Sequence, residues 1–447
     1  MDFTSFAQRA EKFRASSPTV YDQQYLLGVR GFLVIQAFFW VFLSTFVPVA
    51  VANSKNTSGA LFQVVLRKGF SVIFWNEHLL YGAIIFLSAR SLAIPFIRDP
   101  TKSQVARSVF TRGLTFWFPL AISLAIVKVA FSQTGVTYIF DFKTSTGNTS
   151  IHVPYVMPNA LAYFNSVFNL LWVTHDFAAQ SGSTAFPSQT LWMMNVVYMQ
   201  SYTVYMTMVI IPYTRKKWRV QAAFFFVITA WWCQSWAWFT ISGLLFADMV
   251  MTMDFKACSQ RGIPIYVFPS RLRKQDGSPY RIPVWVPATF CVLSGLLMQY
   301  LWIAWRPDLW NREFLYHSAL YYTPDLNYDY ANRHTPARND IYLILVGFFL
   351  FLESYDGLQR FFDNKFLVYL GKRSMSFFLI QSTIIYLLGI KLFIRLQDVS
   401  KASFSGSVIV TLMTCLIVII PLAELFHRLV VMPSKAFSHI CFDFITS

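Results

Sequence analysis

Tyr25-Leu26-Leu27-Gly28-Val29-Arg30-Gly31-Phe32 runs without a break into the apolar segment Leu33 to Val51. A bilayer core needs about 20 apolar residues per helix, so this stretch reads as a membrane span with an arginine near its mouth. On the same ruler, spans fall at 31–51, 71–93, 114–133, 190–212, 219–233, 236–253, 284–304, 340–355, 374–394 and 407–431. The long run 219–253 is divided near Cys233-Gln234-Ser235, where polarity rises. The expected architecture is an all-α, polytopic integral membrane protein of about ten transmembrane helices.

Composition agrees. Of 447 residues, 55% are hydrophobic and only 13% charged, whereas soluble domains carry about 25% charged residues. The net charge of +16 sits mostly in short connections, with Lys and Arg favouring alternate ones roughly two to one. That bias places both termini in the cytosol and gives the charge a reason other than nucleic acid. Residues 1–24 are polar and carry Glu11, Lys12 and Arg14, so no cleavable signal peptide is expected. The five cysteines show no paired spacing, and neither a disulfide framework nor a metal site is expected.

A single membrane domain is expected over 1–447, with a cytosolic N-terminal segment at 1–28. Residues 134–189 and 305–339 would be non-cytosolic loops, and 254–283 a basic cytosolic one. The stretch Tyr163 to Trp172 is apolar enough to be interfacial or re-entrant. Two sequons, Asn56-Thr57-Ser58 and Asn148-Thr149-Ser150, fall in non-cytosolic connections and make Asn56 and Asn148 candidate glycosylation sites in a secretory-pathway membrane such as the endoplasmic reticulum.

Four stretches, in order, resemble the acyltransferase 3 family of integral membrane acyltransferases. Tyr25 to Gly31 is similar to its "Leu-Asp-Gly-Leu-Arg-Gly" entry to the first helix. Phe86-Leu87-Ser88-Ala89-Arg90-Ser91-Leu92-Ala93, followed by Arg112 and Pro119, is similar to the end of its second helix and the pattern beyond it. Leu191-Trp192 opens a helix as its "Leu-Trp" motif does. Leu358-Gln359-Arg360-Phe361-Phe362 and Tyr369-Leu370-Gly371-Lys372-Arg373-Ser374 to Ile380 resemble its "Leu-Gly-x-x-Ser-x-x-x-Tyr-Leu-x-His". The ending Ala423 to Arg428 resembles fungal members in particular. The departures are equally specific: Val41, Val197 and Gln381 stand where that family writes His, Glu and His, Leu27 replaces an aspartate, and Thr115 an arginine.

The resemblance implies O-acyl transfer from acyl-CoA, as co-substrate, to a hydroxyl of a small lipophilic metabolite or sugar, as in fungal secondary metabolism. Its implied partners are the bilayer, acyl-CoA and that acceptor. Such chemistry needs a base, a stabiliser of the oxyanion and cations for the CoA phosphates. Arg30, Arg90 and Arg112 are the candidate CoA-binding residues. Alternatively Arg30 and Arg112 are interfacial anchors, and Arg90 pairs with a carboxylate such as Glu353 or Glu77. With Val41 in place of histidine, the candidate bases are His78, beside Glu77, and His175, beside Asp176. Each pair also has a structural reading, as a helix-end or loop pair. The alternative function is a scaffold that has lost acyl transfer and serves another reaction, a cyclisation or isomerisation of an apolar substrate, or works as a non-catalytic partner or transporter.

Overall fold

The computed structural model describes residues 23–446 except 53, 55, 174–178, 234, 266–279 and 307–336. His175 and Asp176 lie outside the described residues, as do most of the 305–339 connection and part of 254–283. The described helices are α1 (Tyr25–Phe46), α2 (Leu61–Gly69), α3 (Glu77–Arg98), α4 (Lys102–Thr134), α5 (Thr137–Thr146), α6 (Ala160–Trp172), α7 (Trp192–Met208), α8 (Lys216–Trp232) and α9 (Ala237–Thr252). They continue with α10 (Trp285–Gln299), α11 (Asn339–Ser354), α12 (Asp356–Phe362), α13 (Lys365–Lys372), α14 (Ser374–Ile384), α15 (Ile390–Asp398), α16 (Phe404–Phe426) and α17 (Met432–Thr446). Among the described residues the only strands are Ile263–Ile265 and Tyr280–Ile282, an antiparallel pair.

Among the described residues, five stretches are long and apolar enough to cross a membrane: α1, Ser71–Arg98, α4, Ser374–Asp398 and Phe404–Thr446. The number reaches seven if α9 with Phe255–Arg261 and α11 with α12, bent by 88° and 103°, each count once. The segments at 190–212, 219–233 and 284–304 are helical too, but α7 and α8 have 17 residues each, the lower end of what a bilayer core needs, and α10 has 15 before it runs on into a π-helical turn, Tyr300–Trp305. Apolar side chains cover the outside as well as the core: Phe224, Phe225, Phe290, Leu293, Met413 and Ile417 are exposed, as lipid contact requires. The stretch around Tyr163 is α6, built into the bundle, where the Tyr163 hydroxyl donates to the Ala121 carbonyl of α4 at 2.7 Å.

The opening motif packs on the chain's far end. A Cβ on Gly28 would collide with the backbone of Phe362, one on Gly31 with that of Leu367, and one on Gly371 with that of Leu27. Only hydrogen side chains allow α1 to lie backbone to backbone on α12 and α13. One turn earlier, the Tyr25 hydroxyl donates to Glu353 Oε2 at 2.8 Å, and Glu353 Oε1 holds Arg90 Nη1 at 2.5 Å. That triad, closed by Arg90 Nη2 donating to Tyr25 at 3.3 Å, binds α1, α3 and α11 inside the bundle.

Both sequon asparagines are structural. Asn148 is buried, and its Nδ2 donates to the last carbonyls of α1, Ser44 at 2.8 Å and Thr45 at 2.9 Å. Asn56 donates to Gly147 and accepts from the Thr149 hydroxyl at 2.8 Å. The Asn148 side chain thus caps the C-terminal end of α1.

Two outcomes follow for the purified protein in detergent. Gly31→Leu lowers stability by more than about 2 kcal/mol, because backbone atoms cannot yield, while Gly357→Ala, in open space, leaves the melting temperature unchanged. Glu353→Gln costs about 3–5 kcal/mol by stranding a buried guanidinium, and Arg90→Met with Glu353→Leu recovers most of it.

Candidate functional site

A cavity of about 640 Å³ opens beside α1, between α3, α4, α7, α14 and the junction of α16 with α17. That size lies in the range of small-molecule sites. Its lining has levels, because the helices run side by side. Leu27 and Arg30 lie near one end of α1 and Ala37 further along; on α14, Ser374 and Met375 are matched by Phe378 and Gln381. α3 runs the other way, from Leu80 at the floor through Ser88 to Pro95. Contact of Trp40 with Tyr81, centroids 5.8 Å apart, and of Tyr81 with Trp192 at 4.7 Å, puts the starts of α3 and α7 at the floor.

Among the described residues, four cations line this space, Arg30, Arg112, Lys372 and Lys435, together with one imidazole, His439, and no carboxylate. Arg30 Nη2 donates to the Ser91 hydroxyl at 2.6 Å. Arg112 donates through Nη2 to Ser88 at 2.8 Å and through Nε to Ser201 at 3.0 Å, and lies 4.3 Å from the centroid of the Phe116 ring. Arg30 repels both Arg112 and Lys435 across the cavity.

Four other arginines of the bundle meet carboxylates, and buried Arg67 is held by the carbonyls of Ala52, Ser54 and Asn56. Arg90 meets Glu353, Arg219 meets Asp248 at 2.7 Å, Arg338 meets Asp340 at 2.7 Å, and Arg373 meets Glu424. Arg30 and Arg112 meet only neutral hydroxyls among the described residues. An uncompensated guanidinium inside a membrane bundle is costly, and it becomes favourable when an anion arrives. The floor is apolar: Ala37, Leu80, Met194, Val197 and Phe378, with the amide of Gln381 among them.

Of the candidate residues, Arg30 and Arg112 share the cavity. Arg90 does not line it and is spent on Glu353 and Tyr25. Glu77 and His78 form the first turn of α3, capped by Asn76, whose Oδ1 accepts from the His78 N–H at 3.1 Å. Glu77 bonds the Tyr81 hydroxyl. His78 sits beside a buried chain in which Asn76 donates to Gln299 at 2.8 Å and Gln299 to Asp340 at 2.5 Å. It faces away from the cavity. Val41 is buried one turn beyond Ala37 and does not line it either.

Sequence reasoning missed Lys372, Lys435 and His439. Lys435 and His439 follow Val431 at i+4 and i+8, one stripe of α17, and that spacing was the available signal. Glu424 brings the stripe in. It accepts from Arg373, from the Tyr369 hydroxyl at 3.0 Å and from Arg428 at 2.6 Å, tying the last helices to α13. Tyr369 lies outside the spanning stretches, and burial and the Glu424 carboxylate raise its phenol above the ordinary value, so it donates as a neutral hydroxyl. A second cavity, about 620 Å³, lies on the other side of Leu33 among Val29, Phe32, Phe348 and Phe349 and holds no charged side chain.

The chain matches no family model, no curated protein and no solved structure.

Removing an unpaired charge has the opposite sign to breaking a pair. Arg30→Gln and Arg112→Gln leave the melting temperature in detergent unchanged or higher, in contrast to the loss of about 3–5 kcal/mol for a broken buried pair.

Proposed function

We propose that this protein is an integral membrane O-acyltransferase that takes an acyl group from acyl-CoA and passes it to a hydroxyl of a small lipophilic metabolite or a sugar. The observation carrying this reading is the pair Arg30 and Arg112, without carboxylate partners among the described residues, and lining one cavity with Lys372 and Lys435. Phosphate groups at the mouth supply the missing negative charge. The apolar floor takes a long acyl chain, with the thioester near the level of the cations, and a short acyl group draws the pantetheine arm deeper. The acceptor oxygen attacks the thioester carbonyl, a C–O bond forms, and the C–S bond breaks. His439, the one imidazole of the lining, takes the hydroxyl proton and returns it to the leaving thiolate, while Arg30 steadies the oxyanion. The cavity mouth lies on the side of Lys372, His439 and the basic connections, which supports cytosolic termini. Counting the shorter helices α7, α8 and α10 as passes gives ten. A secretory-pathway membrane fits that orientation.

One observation favours the second reading, a scaffold turned to another reaction on an anionic amphiphile. Val197 and Gln381 line the floor where the resembling family writes Glu and His, so the base it would use is absent.

Coenzyme A binding, measured by calorimetry on purified protein, weakens about 10- to 100-fold in Arg30→Gln and in Arg112→Gln, the scale of a lost charged hydrogen bond. With labelled acetyl-CoA and candidate alcohols, His439→Ala reduces transfer by about 10²-fold or more while coenzyme A binding holds. Binding without any transfer would favour the second reading; absence of binding removes both.

A further inference from the structure

The floor of the cavity holds one polar group with nothing to do. Gln381 is 2% exposed, lines the cavity, and its Oε1 has no hydrogen-bond partner. Gln36 donates to the Ile73 carbonyl at 2.5 Å, and Gln299 is bonded on both sides, to Asn76 and Asp340; the unpaired Oε1 atoms of Gln23 and Gln180 belong to less buried residues that line neither cavity. Around Gln381 the floor offers only Ala37, Leu80, Met194, Val197 and Phe378. A buried acceptor left unpaired costs about 1–3 kcal/mol, and one carried by a side chain in a cavity wall recovers that cost when the side chain turns to a donor that enters. An amide is neither acid nor base near neutral pH, so Gln381 recognises and does not transfer a proton.

We infer that Gln381 is a specificity-determining residue, and that the molecule bound here carries a hydrogen-bond donor, a hydroxyl or an amide N–H, deep in its chain. Ser374, on the cation side of α14, and Gln381 are seven residues apart in the sequence, a rise of about 10 Å. The guest is therefore an anion at one end with a donor about that far along an otherwise apolar chain. This rests on the anionic-amphiphile reading above and names what that reading leaves open. The donor has two sources: a hydroxyl on the bound chain, or an amide of the pantetheine arm when the acyl group is short.

The test uses the full chain in detergent, with three probes: coenzyme A, decyl phosphate and ω-hydroxydecyl phosphate. In the native protein the hydroxylated phosphate binds about tenfold more tightly than decyl phosphate, one hydrogen bond's worth. Gln381→Leu removes that preference and leaves decyl phosphate within about twofold, with a melting temperature equal to or above the native one, because an unsatisfied amide has gone. A structural role would lower it. Gln381→Asn, with the amide drawn back by one methylene, behaves like the leucine variant in binding. Loss on coenzyme A alone assigns the donor to the pantetheine amide; loss on the hydroxylated phosphate assigns it to the chain. Unchanged affinities of Gln381→Leu for all three probes overturn the inference and leave the anion site standing. Failure of the native protein to bind any of them overturns both.

Discussion

The structure depends on a contact that tolerates no side chain. Gly28 and Gly31 lay the first helix directly on the backbone of Phe362 and Leu367, and Gly371 answers from the other side. Because a helix has few faces, everything else in the motif is thereby aimed. Tyr25 reaches Glu353 and Arg90, Leu27 and Arg30 turn to the cavity, and Val29 and Phe32 turn to the apolar hollow behind it. Residues more than three hundred positions apart are fixed to within van der Waals contact by three missing methyl groups.

Charge follows packing. A guanidinium surrounded by lipid-facing helices demands an anion, and in this bundle most receive one from a neighbouring helix. Arg90, Arg219 and Arg373 are such cases, each joining two segments, while Arg338 pairs with Asp340 at the start of its own helix. Arg30 and Arg112 hold serine hydroxyls instead and lie with Lys372 and Lys435 around an open space. The same physics that makes the paired arginines structural makes the unpaired ones receptive.

The far end of the chain completes the site. A π-helical turn at His427–Val431 shifts the register between α16 and α17, and Glu424 anchors the junction to Tyr369 and Arg373. Val431, Lys435 and His439 then form one wall of the cavity. The surface pair of Arg107 with Asp443, and the Phe110–Phe442 ring contact at 5.7 Å, hold α17 along α4.

Much was legible in the linear chain. Apolar runs of bilayer length determined the helices, because within one such run only a helix satisfies the backbone in lipid by itself. The division of the run 219–253 is present too, with α8 ending at Trp232 and α9 beginning at Ala237. Arg30 and Arg112 stood out as charges at helix ends, and Glu353 was visible as a partner for Arg90. What the chain could not express was adjacency. Lys435 and His439 are unremarkable until α17 is set against α4, and His78 looks like a base until α3 turns it away from the cavity. By itself the sequence determined which segments are helices and where charge enters the membrane. Only the tertiary structure decided which charges are neutralised and which are left facing a cavity, since pairing depends on distances that chain order does not encode.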